Sequence, residues 1–174
     1  VQYVSPTIWA WRQGRLKTIE KSVDAVMNLF PFENKAYENS SVRTTFVGHP
    51  LAHKIPKKIN KQDIKEERFS IKNKKMIALL PGSRKSEINL LLPILIDFVK
   101  MMNKKHNDIF YVFHSTNDFN KYIQNKLLKA GLVNCGSISD EKVKSEMLKC
   151  SIFAVAKSGT ISLEICNAQV PSII

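Results

Sequence analysis

Met76-Ile77-Ala78-Leu79-Leu80-Pro81-Gly82-Ser83-Arg84 is the stretch on which the fold turns. Five apolar residues in a row read as a β run. Pro81-Gly82 stops it. From Ser86 to Met102, Ile88, Leu91, Leu92, Leu95, Val99 and Met102 recur at helical spacing and make one broad apolar face. Pro93 falls inside that pattern, so it either opens the main helix at its first turn or kinks it, since proline lacks an N–H and clashes with the preceding turn. The strand-then-helix unit recurs. Ile109 to Phe113 is followed by a helix carrying Tyr122, Leu127 and Leu128, and a short strand near Val133 to Ile138 by a helix from Asp140 to Cys150, with Asp140 a candidate N-cap. Ile152 to Ala156 leads to a helix from Thr160 to Asn167, and Ser172 to Ile174 reads as a further strand. Four βα units predict an open, doubly wound parallel α/β domain over residues 76–174.

Upstream, residues 1–53 form a first block of the same class. Val1 to Val4 reads as a strand, and Trp9 to Asn28 contains a helical pattern (Trp9, Arg12, Leu16, then Ile19, Val23, Val26), although Ala25 to Phe30 also fits a short buried strand closed by Pro31. Glu33 to Asn39 reads as a short helix and Thr44 to Val47 as a strand ending at Gly48. Residues 54–75 read as a basic connector plus a surface helix. Both chain ends fall in apolar runs that look like interrupted strands, so the chain is expected to be the middle of a longer protein; natural apolar termini are the alternative. Val1 to Val4 lacks a basic n-region and runs into Ser5-Pro6, so no signal peptide is expected.

Composition narrows the classes. The 174 residues are 44% hydrophobic and 24% charged, which excludes a disordered or collagen-like chain. No apolar run approaches the roughly 20 residues of a membrane-spanning helix. Three scattered cysteines, Cys135, Cys150 and Cys166, suit a reducing compartment better than a disulfide scaffold. Lys plus Arg outnumber Asp plus Glu by 27 to 15, a net +12. The excess is concentrated between Lys54 and Lys75, which suits an anionic partner or a solvated lysine-rich connector. Few aromatic residues interleave there, which speaks against a single-strand nucleic-acid site.

Ligands of open parallel sheets bind beyond the carboxyl ends of the strands. Two loops there carry phosphate-type features. Gly82 lets the backbone approach a ligand, Ser83 adds a hydroxyl, the helix behind them presents N–H groups, and Arg84 can grip two phosphate oxygens. Lys157-Ser158-Gly159-Thr160 repeats the design, and Glu164, one turn further on, can accept hydrogen bonds from a ribose diol. The plainer readings are ordinary βα turns, a helix cap at Ser158 or Thr160, and a solvated Glu164. Neither loop is a GxxxxGK[ST] or GxGxxG sequence. His49 and His53 do not form a zinc helix and read as turn residues; His114 ends a strand at the ligand edge, as a nucleotide contact or a structural residue. Trp9 and Trp11 with Arg12 look like a membrane-interface element or aromatics packed between domains.

Tyr3-Val4-Ser5-Pro6, Trp9-Ala10-Trp11-Arg12, Leu29-Phe30-Pro31-Phe32-Glu33, Phe46-Val47-Gly48-His49-Pro50-Leu51, Leu79 to Arg84 with Glu87-Ile88, and Ser158-Gly159-Thr160 with Leu163-Glu164 occur in that order. Over essentially the whole chain this series resembles the lipid-A-disaccharide synthase family of bacterial glycosyltransferases. The resemblance implies a GT-B fold, two Rossmann-like doubly wound domains that are both incomplete in this chain. Residues 1–53 would belong to the acceptor-side domain and residues 76–174 to the nucleotide-sugar domain. It implies transfer of 2,3-diacylglucosamine from its UDP donor onto 2,3-diacylglucosamine 1-phosphate, with inversion, at the cytoplasmic face of the inner membrane. No metal and no cofactor are implied, the UDP-sugar being a substrate, and no nucleic acid. Gly82, Ser83 and Arg84 would face the diphosphate, with Arg84 stabilising the leaving group. Ser158, Gly159 and Thr160 would hold phosphate oxygens, and Glu164 the ribose. The Trp9 to Arg12 segment would help meet lipid. His53 stands where the family usually carries an acid, which leaves that position's role open. The catalytic acid or base is expected upstream of Val1, so the segment alone is expected to have little or no transferase activity. A homodimer or a complementing chain stays open. The alternatives are another GT-B UDP-sugar enzyme (a cell-wall N-acetylglucosaminyltransferase or an epimerase), a basic nucleic-acid-binding module, or a remnant of a decayed gene.

Overall fold

The computed structural model describes residues 1–53 and 60–174. The part of the basic segment from 54 to 59, with Lys54, Lys57 and Lys58, lies outside the described residues, as does the His53 side chain. The chain divides into two compact units, Val1–Lys54 and Ile55–Ile174.

In the first unit, β1 (Gln2–Tyr3), β2 (Ala25–Asn28) and β3 (Arg43–Phe46) form a parallel sheet in that order. The long helix suggested by the Trp9 to Asn28 periodicity is not formed. Only α1 (Leu16–Ser22) is α-helical, preceded by a 3-10 turn at Gln13–Arg15. Arg12 sits in the left-handed region at φ 57°, which a right-handed helix cannot pass through, and Val26 belongs to β2. Glu33 to Asn39 is likewise not an α-helix but a 3-10 segment, Pro31–Tyr37. Its entry is tied by the buried Glu33 carboxylate, which accepts from the Leu29 and Phe30 amides at 2.9 and 3.0 Å. Ile8, Ile19, Val26, Tyr37 and Val42 make the core of this unit.

The second unit is one five-stranded parallel sheet. Its strands are β4 (Lys75–Leu80), β5 (Ile109–His114), β6 (Cys135–Ile138), β7 (Phe153–Ala156) and β8 (Ser172–Ile173). Their spatial order is β6-β5-β4-β7-β8, so the chain winds outward from the central β4 in one direction and then returns to build the other half. Both faces are covered, which explains the unbroken apolar run. Ile77 and Leu79 point into a core shared with α3 (Lys85–Asn103) and α4 (Asn117–Lys129) through Ile88, Leu92, Val99, Ile123 and Leu127. Met76, Ala78 and Leu80 point the other way, into a core with Met147 and Leu148 of α5 (Glu141–Cys150) and Ile165 of α6 (Ile161–Asn167).

Pro93 does not open α3. The helix starts at Lys85 and runs through Pro93, which is exposed, while Leu92, Leu95 and Ile96 beside it are buried. Packing of that face outweighs one lost backbone hydrogen bond. On α4 the buried residues are Ile123 and Leu127; Leu128 faces outward. Within the basic segment, α2 (Lys61–Phe69) is a surface helix with no buried residue, held to the domain on one side. Ile64 and Phe69 pack against the α5 and α6 core, and Arg68 pairs with Glu146 of α5 at 3.5 Å. Asn60 caps it by accepting from the Gln62 amide. No helix among the described residues is long and apolar enough to cross a membrane.

Leu92 is 2% exposed between α3 and the sheet. Leu92→Ala is expected to destabilise the second unit by about 2–5 kcal/mol, read as a lower urea midpoint with an unchanged slope.

Candidate functional site

Where the strand order reverses, β4 and β7 lie side by side, Leu80 paired with Ala156. The ladder ends with the Lys157 amide donating to the Leu80 carbonyl at 3.0 Å. The loops leaving these two strands therefore start next to each other. They border a cleft of about 300 Å³ whose lining includes Gly82, Ser83, Arg84, Ser158, Gly159, Thr160 and Glu164, all seven residues expected from the sequence. Also in the lining are Glu87, Lys157, His114, Ser115, Thr116, Glu141 and Lys144.

The first loop is built around Glu87. Its Oε2 accepts from the Ser83 and Arg84 amides at 3.1 and 3.3 Å. Its Oε1 meets the Arg84 guanidinium at 3.4 Å and the Lys157 ammonium at 3.1 Å. Lys157, then the Ser83 amide, hold this carboxyl below the usual carboxylate range. The sequence predicts free amides at this helix start; Glu87 takes two of them, which leaves the exposed Ser83 and the Arg84 side chain, 77% exposed, open to a ligand. Gly82 has φ +110°, and a Cβ there would run into Glu87. Ser115, almost fully buried, donates to the Gly82 carbonyl at 3.0 Å and pins the loop to the end of β5.

The second loop is barer. Lys157 reaches Glu87, but the amides of Ser158, Gly159 and Thr160 have no acceptor among the described residues, and both hydroxyl residues are exposed. Gly159 is at φ +152°. Thr160 precedes α6 without a side-chain cap, so the helix-cap reading of its hydroxyl is not what the structure has.

Glu164 is not a solvated helix residue. Lys144 of α5, 8% exposed, meets both of its oxygens at 3.0 and 2.9 Å and also pairs with Glu141. Burial works against the Lys144 ammonium, but its hydrogen bonds to Glu141 and Glu164 outweigh that and raise its pKa above the usual lysine value. Burial, reinforced by the charge of Lys144, pushes His114 down to about 4, so it is neutral near pH 7. Three cations (Arg84, Lys144, Lys157) thus face three carboxylates (Glu87, Glu141, Glu164) across the lining.

Sequence reasoning did not assign Lys144, Glu141, Ser115 or Thr116 to the site. A signal existed for Lys144, which shares the helix face of Met147 and Leu148, where a charged residue is out of place unless paired. His49 is a turn residue, its Nδ1 accepting from the Leu51 amide at 3.1 Å, and Pro50–His53 is a 3-10 turn. Trp9 and Trp11 belong to the first unit and are partly exposed; Trp9 packs edge-on against Phe32 and Arg12 covers the Trp11 ring.

A parallel sheet of this order, with a polar cleft at the reversal of its strands, defines a Rossmann-like ligand-binding unit of the kind found twice in GT-B proteins. Solved structures with the same fold include a putative UDP-N-acetylglucosamine 2-epimerase from Listeria monocytogenes (TM-score 0.64, 14% identity, 90% of this chain and 43% of that one). A second is S. aureus MnaA with UDP (0.63, 16%, 91% and 44%). A third is the C-terminal domain of a glycosyl transferase group 1 family protein from Francisella tularensis (0.52, 21%, 72% and 69%). The lipid-A-disaccharide synthetase family model matches residues 1–174, and the chain belongs to that family. Lipid-A-disaccharide synthases from Acinetobacter baylyi and Wigglesworthia glossinidia brevipalpis are 38% and 35% identical over 94% and 100% of the chain. The chain spans under half their length, 43% and 45%. The similarity to these solved structures is one of fold; the family match runs along the whole chain.

Two outcomes follow from this geometry. Gly82→Ala forces a strained φ and displaces Glu87, and is expected to cost about 1–3 kcal/mol in chemical denaturation. His114 has a folded-state pKa near 4 against an ordinary 6.5. Its contribution is complete above pH 6.5 and lost as pH falls towards 4, in total about 3 kcal/mol. Stability measured from pH 7 to 4 should decline less steeply in His114→Phe.

Proposed function

We propose that this chain supplies the nucleotide-sugar-binding unit and part of the acceptor-side unit of an inverting glycosyltransferase. The enzyme moves 2,3-diacylglucosamine from UDP onto 2,3-diacylglucosamine 1-phosphate, releasing UDP and making the lipid A disaccharide. The observation that carries the reading is the convergence of both glycine loops and Glu164 on one cleft, in a chain of this family.

The chemistry asks for little from a metal. UDP departs as negative charge builds on its diphosphate, and preorganised donors facing that charge lower the barrier. Arg84 and Lys157 supply two cations from the two loops, and the open amides and hydroxyls of Ser158 to Thr160 supply neutral donors. Glu87 holds both cations in place, so a phosphate oxygen would share them with it. Glu164, oriented by Lys144, accepts from the ribose hydroxyls. The lipid character of both substrates suits a peripheral enzyme at the cytoplasmic face of the inner membrane, with Trp9 and Trp11 on the lipid-facing side of the acceptor unit.

Titration calorimetry of the chain with UDP tests this directly. Binding is expected, with Arg84→Ala weakening it by about 10- to 100-fold, the value of a hydrogen bond to a charged group. Absence of UDP binding would refute the reading. With both lipid substrates present, the chain by itself should release no UDP above background.

A further inference from the structure

The end of β5 carries two polar atoms that are buried without a hydrogen-bond partner, His114 Nε2 and Thr116 Oγ1. Both residues line the cleft. His114 is 7% exposed, and the closest charged oxygen to its Nε2, Glu141 Oε1, is 3.7 Å away, beyond a hydrogen bond. Thr116 is the N-cap of α4, a place where a threonine hydroxyl normally accepts a helix amide, yet it makes no such bond. Buried polar atoms are seldom left unpaired, and two neighbours in one binding cleft call for a shared partner that arrives with the ligand.

The surroundings say what kind of partner. The charged groups around His114 are Lys144 and Glu141 of α5 and Asp140 at its N-cap. The Glu141 carboxylate stands over the imidazole, and Lys144 is already taken by Glu141 and Glu164. A phosphate placed there would meet a carboxylate and a neutral ring. The loops that carry Arg84 and Lys157 follow β4 and β7, and β5 flanks β4 on the side away from β7. An imidazole and a hydroxyl, each able to donate or accept, suit an uncharged oxygen or a ring amide.

We propose that His114 Nε2 and Thr116 Oγ1 form a polar subsite that hydrogen-bonds the nucleoside part of the ligand, while the two glycine loops take its phosphates. This rests on the reading of the cleft as a nucleotide site. His114 is then a binding group that stays neutral throughout.

The test compares UDP, uridine and pyrophosphate binding to the chain and to His114→Phe, His114→Gln and Thr116→Val. His114→Phe should weaken UDP and uridine by the same factor, about tenfold, and leave pyrophosphate unchanged. His114→Gln should recover part of the loss, and Thr116→Val should show the same pattern at about threefold. Calorimetry at pH 8 in buffers of different ionisation enthalpy should detect no proton uptake. Equal weakening of pyrophosphate, or proton uptake on binding, would overturn the subsite in favour of a phosphate contact. Unchanged UDP affinity in folded variants would overturn it outright, with the nucleotide reading intact. Failure of the unaltered chain to bind UDP would overturn both. If His114→Phe does not melt cooperatively, Thr116→Val against the three ligands decides.

Discussion

The pairing of β4 with β7 is the constraint on which the site depends. Two strands separated in sequence by the whole outward half of the sheet become neighbours, closed by the Lys157 amide on the Leu80 carbonyl. That bond is an ordinary ladder bond, net worth about 1 kcal/mol. Its importance is geometric, because it sets the origin of both glycine loops within one strand spacing. A slip of one residue in β7 would turn Ala154 and Ala156 out of the lower core and carry Lys157 away from Glu87. Burial of Ala78 and Leu80 against Met147 and Ile165 holds the register.

Glu87 does for the side chains what this pairing does for the backbone. One oxygen satisfies helix-start amides and the other gathers cations from two loops, so a single carboxylate orders elements that are adjacent in space but far apart in sequence. Lys144 plays the matching part on the opposite wall, joining Glu141 of its own helix to Glu164 of the next. Ser115 ties the end of β5 to the first loop through the Gly82 carbonyl. The cleft is therefore ordered before any ligand enters, which reduces the conformational cost of binding.

Much of this was legible in the residues. Unbroken apolar runs with Gly and Ser at their ends announced buried parallel strands, and the α3 stripe announced its helix in spite of Pro93. Asp140 was readable as a cap because it stands alone before an amphipathic run, and it does accept from the Lys142 and Val143 amides. What failed did so where local pattern and three-dimensional context part. The periodicity from Trp9 to Asn28 continued across Arg12 and Val26, but a left-handed residue and the central strand of the sheet interrupted it. The free amides expected before α3 were lost to Glu87, because nothing in a sequence says whether a nearby acid will turn back on its own helix. Lys144 and Thr116 escaped notice because their roles arise only when α5 and β5 meet at the sheet's rim.

The balance of charge inside the cleft has a consequence for a chain that carries +12 overall. Three cations are matched by three carboxylates in the lining, so among the described residues the excess positive charge lies outside the cleft. Capture and discrimination are then divided between two regions. The lysine-rich exterior draws anionic molecules in from a distance and is sensitive to dissolved ions. Short-range donors in the recess, shielded by their own counter-charges, accept only a molecule whose shape lets it exchange one set of partners for another.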